Sequence, residues 1–249
     1  MSCIVLLGDA HLRDGDRELD AFLKFLESLP PGAAALYLLG DLFDLWIGAP
    51  AFQTPGHGRV VEALRRLREK GLRISYIEGN RDYHLRRAYR GDPFEDLEEE
   101  GLQVSFGARR IFLAHGDLVN RMDRPYRLWR RVAKGPLLMG LFRLLPARWA
   151  ARFAERLERR IASTNLRHRI GFPETECRDY ALGLRRRGFD TLVLGHFHRE
   201  MERLYEGPEG KIQVFVLPSW REGGRHLRIE GDGTAVFEAL RTGGTGGVE

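Results

Sequence analysis

The chain has 249 residues, of which 43% are hydrophobic and 30% charged, and this composition excludes a disordered or fibrous protein. No stretch approaches the ~20 apolar residues of a membrane-spanning helix. The formal net charge of +5 is unevenly distributed, because residues 120–170 carry fourteen Lys or Arg against three acids, a net of +11, and the rest carries −6. Such a basic segment suggests an anionic partner or a solvated helical face.

Short runs typical of β-strands alternate with helical patterns, which predicts an α/β sheet domain. Helices are predicted over Arg17–Leu29 and Arg59–Lys70. The predicted strands are Cys3–Leu7, Ala35–Leu39, Leu72–Ile77, Arg110–Ala114, Thr191–Leu194, Met201–Tyr205, Ile212–Leu217, His226–Ile229 and Ala235–Glu238.

Residues 120–170 interrupt this alternation with helical patterns alone, and prolines and a Gly-Pro pair divide them into about three helices. We therefore predict a single domain over 1–249, with a helical cap inserted at about 120–170 and a flexible Gly-rich tail over 241–249. The cysteines Cys3 and Cys177 are too few for a disulfide framework, and Asp9 ends the first apolar run too early for a secretory signal. Both features favour a reducing, cytoplasmic location.

Metal-seeking residues follow five predicted strands at the point where each strand ends. Ligands gather at the carboxyl ends of strands in open α/β sheets, and glycines let the backbone turn sharply there. Imidazole and carboxylate without thiolate favour Mn, Fe or Zn, and seven ligands suit two ions that share a carboxylate. The seven candidates are Asp9, His11, Asp41, Asn80, His115, His196 and His198.

These residues stand in patterns that resemble the calcineurin-like metallophosphoesterase superfamily over about residues 7–199: Asp9-x-His11, Gly40-Asp41-x-x-Asp44, Gly79-Asn80-Arg81-Asp82, His115-Gly116-Asp117 and Gly195-His196-x-His198. The resemblance implies an α/β fold, a four-layer α/β/β/α sandwich with a dinuclear metal site. It implies one ion held by Asp9, His11, Asp41 and His198, and a second held by Asp41, Asn80, His115 and His196. Asp44, Asp82 and Asp117 are expected to support these ligands.

Two segments of the sequence resemble one particular family within this superfamily. Arg81 stands where most of the superfamily has His, and the segments 40–46 and 79–83 are similar to the UDP-2,3-diacylglucosamine diphosphatase family of lipid A synthesis. Phe197 departs from the usual Thr of this family. The resemblance implies two divalent ions, Mn²⁺ in this family, and attack of water on the α-phosphorus to release UMP and 2,3-diacylglucosamine 1-phosphate.

The same resemblance implies roles for individual residues. Catalytic roles fall on Asp41, Arg81, His115 and His196. Substrate contacts fall on Asn80, Arg81, Asp123 and Tyr126, with Ser163, Asn165 and Arg167 as further candidates in the cap.

Apolar and arginine side chains alternate in the predicted cap. Between Trp149 and Ile161 the apolar residues recur at every fourth position, and Arg occupies much of the remaining circumference. This pattern favours a membrane-surface element or an acyl-chain groove, although packing of the cap onto the body also explains it. We expect a lipid-linked substrate, peripheral association with an anionic inner-membrane surface and no obligate protein partner. The alternative is another nucleotide, cyclic phosphodiester or nucleic-acid substrate, since basic patches bind phosphates.

Overall fold

The computed structural model describes residues 2–120, 124–135, 140, 149, 156 and 171–240. The predictions for Asp123, Ser163, Asn165, Arg167, the tail and most of the cap lie outside these residues. Among the described helices, none has both the length and the apolar character needed to cross a membrane.

Thirteen strands and five α-helices cover the described residues. The strands are β1 Cys3–Leu7, β2 Ala33–Leu38, β3 Trp46–Ile47, β4 Arg73–Ile77, β5 Asp82–Tyr83, β6 Asp96–Glu98, β7 Leu102–Phe106, β8 Arg109–Ala114, β9 Thr191–Leu194, β10 Met201–Gly207, β11 Gly210–Val216, β12 His226–Glu230 and β13 Ala235–Glu238. The helices are α1 Arg17–Glu27, α2 Pro55–Glu69, α3 Arg86–Tyr89, α4 Arg124–Ala133 and α5 Glu174–Arg186.

Two sheets form the centre of the fold. One has the strand order β13-β12-β1-β2-β4-β6 and the other β10-β11-β9-β8-β7. Strands β1, β2 and β4 are parallel neighbours in the first sheet, as are β8 and β9 in the second. Because parallel strands end at the same edge, the polar residues after these five strands are delivered to one rim of the molecule.

Side-chain alternation along the strands builds the layers. In β1, Val5 packs with α1 and α2 in one apolar cluster, whereas Ile4 belongs to the cluster between the sheets. In β8, Ile111 faces the first sheet and Phe112 packs with α5. The order of layers is helix, sheet, sheet, helix, so the predicted α/β/β/α sandwich is confirmed.

Several elements differ from the predictions. Helix α2 begins at Pro55, four residues before the predicted start, because Thr54 caps it and proline suits the first helical position. Helices α3 and α5 and strands β3, β5, β6 and β7 were not predicted. Strands β3 and β5 have only two residues each, too few for a periodic pattern.

His57 links the start of α2 to the core. Its amide donates to Thr54 Oγ1 at 3.3 Å, and its ring Nδ1 accepts from the Thr54 amide at 3.1 Å. The ring is buried against Phe43 and Trp46. Burial lowers the pKa of His57 from 6.5 to about 4, against the opposing charge of Asp14.

This lowered pKa predicts a loss of stability in acid. The unfolded chain takes up a proton at His57 near pH 6.5, and the folded chain does so only near pH 4. The contribution of His57 to stability is therefore fully present above pH 6.5 and is lost as the pH falls below that value. Between pH 7 and pH 5 we expect the free energy of unfolding of the metal-free chain to drop by about 2 kcal/mol from this group. Urea unfolding at both pH values measures the drop.

The matched variant is His57→Gln, because Gln at this position preserves the reciprocal cap but does not titrate. Its unfolding free energy should depend less on pH than that of the wild type. Equal pH dependence in the two proteins would assign the acid loss to other groups.

Candidate metal centre

The backbone at the rim is held in an unusual conformation that points the side chains inward. Left-handed φ values cost L-residues about 1 kcal/mol or more, and such strain concentrates at functional sites. The non-glycine residues with positive φ include Asp9, His11, Asp41, His196 and His198, with φ between 47° and 69°. All five belong to the predicted metal ligands.

One group of ligands lies after β1 and β9. His198 Nε2 is 3.2 Å from Asp9 Oδ1 and 3.3 Å from His11 Nε2, and Asp9 is fully buried. The other oxygen of Asp9 accepts from the His196 amide at 2.7 Å, which joins the two sheets. Burial alone raises the pKa of Asp9, but the charge and hydrogen bond of His198 hold it below its ordinary value.

A second group lies after β2, β4 and β8. His115 Nε2 is 3.1 Å from Asn80 Oδ1 and 3.8 Å from Asp41 Oδ2, and the His115 and His196 ring centroids are 5.1 Å apart. His115 Nδ1 donates to the Leu39 carbonyl oxygen at 2.7 Å. That bond leaves Nε2 as the nitrogen that faces the centre, the arrangement expected of a ligating imidazole.

Two glycines permit the close approach of these loops. Gly40 has φ +83°, and a Cβ there would lie 2.6 Å from Gly79 N. A Cβ on Gly79 would collide with the Asp41 carboxylate. The Gly-Asp and Gly-Asn pairs of the sequence are therefore required by contact between neighbouring loops.

Asp82 supports the loop that carries Asn80. Its Oδ2 accepts from the amides of Asp41 and Gly79 and from Tyr76 Oη, at 2.9, 2.7 and 2.8 Å. Burial and the neighbouring Asp41 carboxylate raise the pKa of Asp82 to about 7. Asp82 thus bonds to the backbone of the two loops that carry Asp41 and Asn80, and its role in supporting metal ligands stays a prediction.

Arg81 and Asp44 form a buried pair beside the centre. Arg81 Nη1 donates to Asp44 Oδ1 at 2.8 Å, and Arg81 Nε lies 3.7 Å from Asp41 Oδ2. Arg13 pairs with the other oxygen of Asp44. Arg13 was not predicted, because only the fold brings it to Asp44.

Ser219 and Arg221 were also missed. Ser219 Oγ donates to the Asp9 carbonyl oxygen at 2.8 Å, and Arg221 Nη1 donates to that of His11 at 2.8 Å. Both residues follow β11 and hold the backbone of the first ligand loop from a distant part of the chain. No local pattern marks them, since they bond to main-chain atoms.

Helix α4, within the segment predicted as a cap, brings Tyr126 to Asp117. Tyr126 Oη donates to Asp117 Oδ2 at 2.5 Å and Arg130 Nε donates to the same oxygen at 2.7 Å. Burial by itself raises the pKa of Asp117, but the Arg130 charge lowers it to about 2. Asp117 therefore holds the cap helix against the loop that carries His115.

The donor set fits divalent metal ions. Ligand atoms of Asp9, His11 and His198 lie within 4.8 Å of one another, as do those of Asp9, Asp41 and His115. Burial and the neighbouring Asp9 carboxylate raise the pKa of Asp41, so the charged form of Asp41 is favoured by a cation bound beside it. Carboxylate, imidazole and amide oxygen are ligands for such ions.

The fold and this donor set define a metal-dependent phosphoesterase. The model of the family described as Calcineurin-like phosphoesterase matches residues 4–200, so the chain belongs to that family, and the resemblance seen in the sequence is confirmed.

Within this family the chain is similar to UDP-2,3-diacylglucosamine hydrolase of Edwardsiella ictaluri, with 32% identity over 94% of this chain and 91% of that protein. It is 31% identical to UDP-2,3-diacylglucosamine hydrolase of Neisseria meningitidis serogroup B, over 94% of this chain and 96% of that protein. Vacuolar Protein Sorting 29 from Cryptosporidium parvum is a solved structure with a TM-score of 0.48 and 17% identity, covering 98% of this chain and 93% of that one.

The close contact at Gly79 predicts that Gly79→Ala disrupts the centre. The new methyl group pushes on the Asp41 carboxylate, so we expect divalent-ion affinity to fall by roughly tenfold or more. Calorimetric titration of the metal-stripped protein with Mn²⁺ measures this change.

Gly58→Ala is the matched control, because Gly58 lies within α2 and a Cβ there meets nothing within 4 Å. It should bind metal as the wild type does and gain roughly 0.5–1 kcal/mol in stability from helix propensity. Unchanged metal binding in Gly79→Ala would contradict the predicted collision.

Proposed function

We propose that this chain is a hydrolase of lipid A biosynthesis that cleaves the diphosphate of UDP-2,3-diacylglucosamine to UMP and 2,3-diacylglucosamine 1-phosphate. Water attacks the α-phosphorus. The observation that carries the proposal is a phosphoesterase centre in a chain whose similarity to UDP-2,3-diacylglucosamine hydrolases extends over 94% of its length. Both the centre and the region that follows it are therefore included in the similarity.

Two divalent ions, Mn²⁺ by our proposal, would occupy the centre. Asp9, His11, Asp41 and His198 would hold one, and Asp41, Asn80, His115 and His196 the other. Such a pair lowers the pKa of water and neutralises charge on phosphoryl oxygens. Asp41 would belong to both sets, in keeping with its burial beside Asp9.

Arg81 would contact the substrate diphosphate. Its guanidinium is buried and oriented by Asp44, whereas its Nε makes no hydrogen bond within the described part of the chain. A buried donor without a partner is costly, and a phosphoryl oxygen would satisfy it. Arg81 would then stabilise the charge that develops on that oxygen in the transition state.

Helix α4 favours a lipid-linked substrate over a nucleic acid. Its inner face carries the polar contacts of Tyr126 and Arg130, whereas Leu128, Trp129 and Val132 are exposed. Water-exposed apolar side chains next to arginine are typical of surfaces that meet acyl chains or anionic lipid. We propose that this face brings the protein to the cytoplasmic surface of the inner membrane.

The reaction is tested with UDP-2,3-diacylglucosamine and the Mn²⁺-loaded protein in ¹⁸O-labelled water. We expect UMP to be released and to carry the label, because attack at the α-phosphorus places the new oxygen there. Mass spectrometry of the two products locates it.

Asp41→Ala should remove turnover while circular dichroism shows a folded protein. Label in the sugar phosphate would contradict the predicted site of attack. Faster hydrolysis of a chromogenic phosphodiester or a cyclic nucleotide than of the lipid would favour the alternative substrates.

Membrane association is tested by flotation with phosphatidylglycerol vesicles. Replacing Leu128, Trp129 and Val132 by Ser should weaken vesicle binding by roughly tenfold or more, because their burial in the interface is lost. Leu204→Ser is the matched control, since Leu204 is equally exposed but lies on β10 of the body. Equal loss in both variants, or in neither, would contradict a role for α4.

A further inference from the structure

Helix α4 connects loops that belong to different sheets. Tyr126, Arg130 and Lys134 recur at a spacing of four, which places them on one side of the helix. The first two bind Asp117, in the loop after β8 of the five-stranded sheet. Arg130 Nη2 also donates to the Glu99 carbonyl oxygen at 2.6 Å.

Lys134, directly after α4, contacts a loop of the six-stranded sheet. Its Nζ lies 2.8 Å from Glu78 Oε2, and the two side chains are 5% and 0% exposed. Glu78 follows β4, and its other oxygen accepts from the Leu85 amide at 2.7 Å. His84 adds a ring nitrogen 3.3 Å from the Ala133 carbonyl oxygen. Glu78 thus ties the helix to both ends of the loop 78–85.

Each contacted loop carries one predicted ligand. Glu78 stands two residues before Asn80, and Asp117 stands two residues after His115. Strands β4 and β8 lie in separate sheets, so no strand ladder among the described residues sets the distance between their ends. Asn80 Oδ1 and His115 Nε2 nevertheless approach to 3.1 Å.

The buried ion pair between Glu78 and Lys134 is favourable only in a narrow range of positions of α4. Two desolvated charges repay their desolvation only when their separation and hydrogen bonds are good. If α4 moved, Glu78 or Asp117 would lose its positively charged partner while remaining buried. The helix therefore resists relative motion of the two loops.

We propose that Glu78 and Lys134 are positioning residues, and that α4 is a strap that sets the separation of Asn80 and His115. The strap thereby sets the affinity for the ion that these residues share with His196. This inference rests on the proposed two-ion centre. Asp9, His11 and His198 lie outside the strapped loops, so the ion that they hold should not depend on the strap.

The test is a titration of the metal-stripped, full-length protein with Mn²⁺ alone, followed by calorimetry and electron paramagnetic resonance. The variant is Glu78→Gln with Lys134→Met, which leaves no buried charge and keeps an oxygen for the Leu85 amide. We expect one ion to bind roughly tenfold more weakly, as for other residues that orient ligands, and the other ion unchanged. The Mn²⁺ concentration for half-maximal activity should rise in parallel, while kcat at saturating Mn²⁺ stays close to that of the wild type.

Arg59→Met is the control, because it removes an exposed ion pair with Asp20 that is remote from α4. It should bind both ions as the wild type does. Arg130→Met is a second, independent variant that removes the Arg130 bonds to Asp117 and Glu99 and leaves the Tyr126 bond and Glu78 intact. It should weaken the same ion, and it decides the question if the double variant does not fold.

Wild-type affinity for both ions in either folded strap variant, with only a lower Tm, would overturn the proposal and leave the ion pair a structural role. Fewer than two Mn²⁺ bound to the wild-type protein would instead overturn the two-ion centre itself. The two failures are therefore distinguishable.

Discussion

The burial of two carboxylates, Asp9 and Asp41, at the junction of the two sheets is the constraint on which the site depends. Asp9 accepts from the His196 amide of the opposite sheet, and Asp41 accepts from the Arg81 amide. Burial raises the pKa of Asp41, whereas the charge and hydrogen bond of His198 keep the pKa of Asp9 low, so both buried carboxylates favour positive charge nearby. The Asp9 and Asp41 carboxylates, which join neighbouring loops at the rim of the sandwich, therefore also favour the binding of metal ions.

The surrounding structure supplies what these carboxylates require. Asp82, Ser219 and Arg221 bond to main-chain atoms of Asp41, Asp9 and His11, and these bonds support the left-handed backbone of those three residues. Strain of this kind persists only where neighbouring contacts determine the conformation. Preorganisation in the absence of substrate is what a phosphoryl-transfer site needs, since electrostatic stabilisation depends on fixed groups.

Helix α4 differs from α1 and α2 in the kind of face that it buries. Helices α1 and α2 bury apolar faces, whereas α4 buries a polar stripe and exposes Leu128, Trp129 and Val132. The polar stripe is satisfied by Asp117 and by Glu78. Exposed apolar patches mark surfaces that meet proteins, membranes or ligands, and the exposed face of α4 is consistent with the proposed lipid-linked substrate.

Much of the site was predictable because its determinants are local. Each predicted ligand comes within a few residues of the end of a strand with a buried apolar pattern, so the strand and the polar residues after it are close in sequence. The apolar runs of β1 and β8 are likewise local signals that predicted strands, and the sandwich followed from the family resemblance. Strand β3 was missed because two residues are too few to show a periodic pattern. The start of α2 was missed because its N-cap residue, Thr54, precedes the apolar pattern of the helix.

The sequence by itself determined the class of fold and which polar residues follow the strands, whereas the ligand assignments and the bounds of the cap stay predictions. Only the tertiary structure decided that Arg13 pairs with Asp44, that Ser219 supports Asp9, and that Lys134 meets Glu78. The reason is physical: these contacts join residues far apart along the chain. They form between charged or hydroxyl groups whose local sequence resembles an ordinary solvated surface, and only folding removes that surface from water.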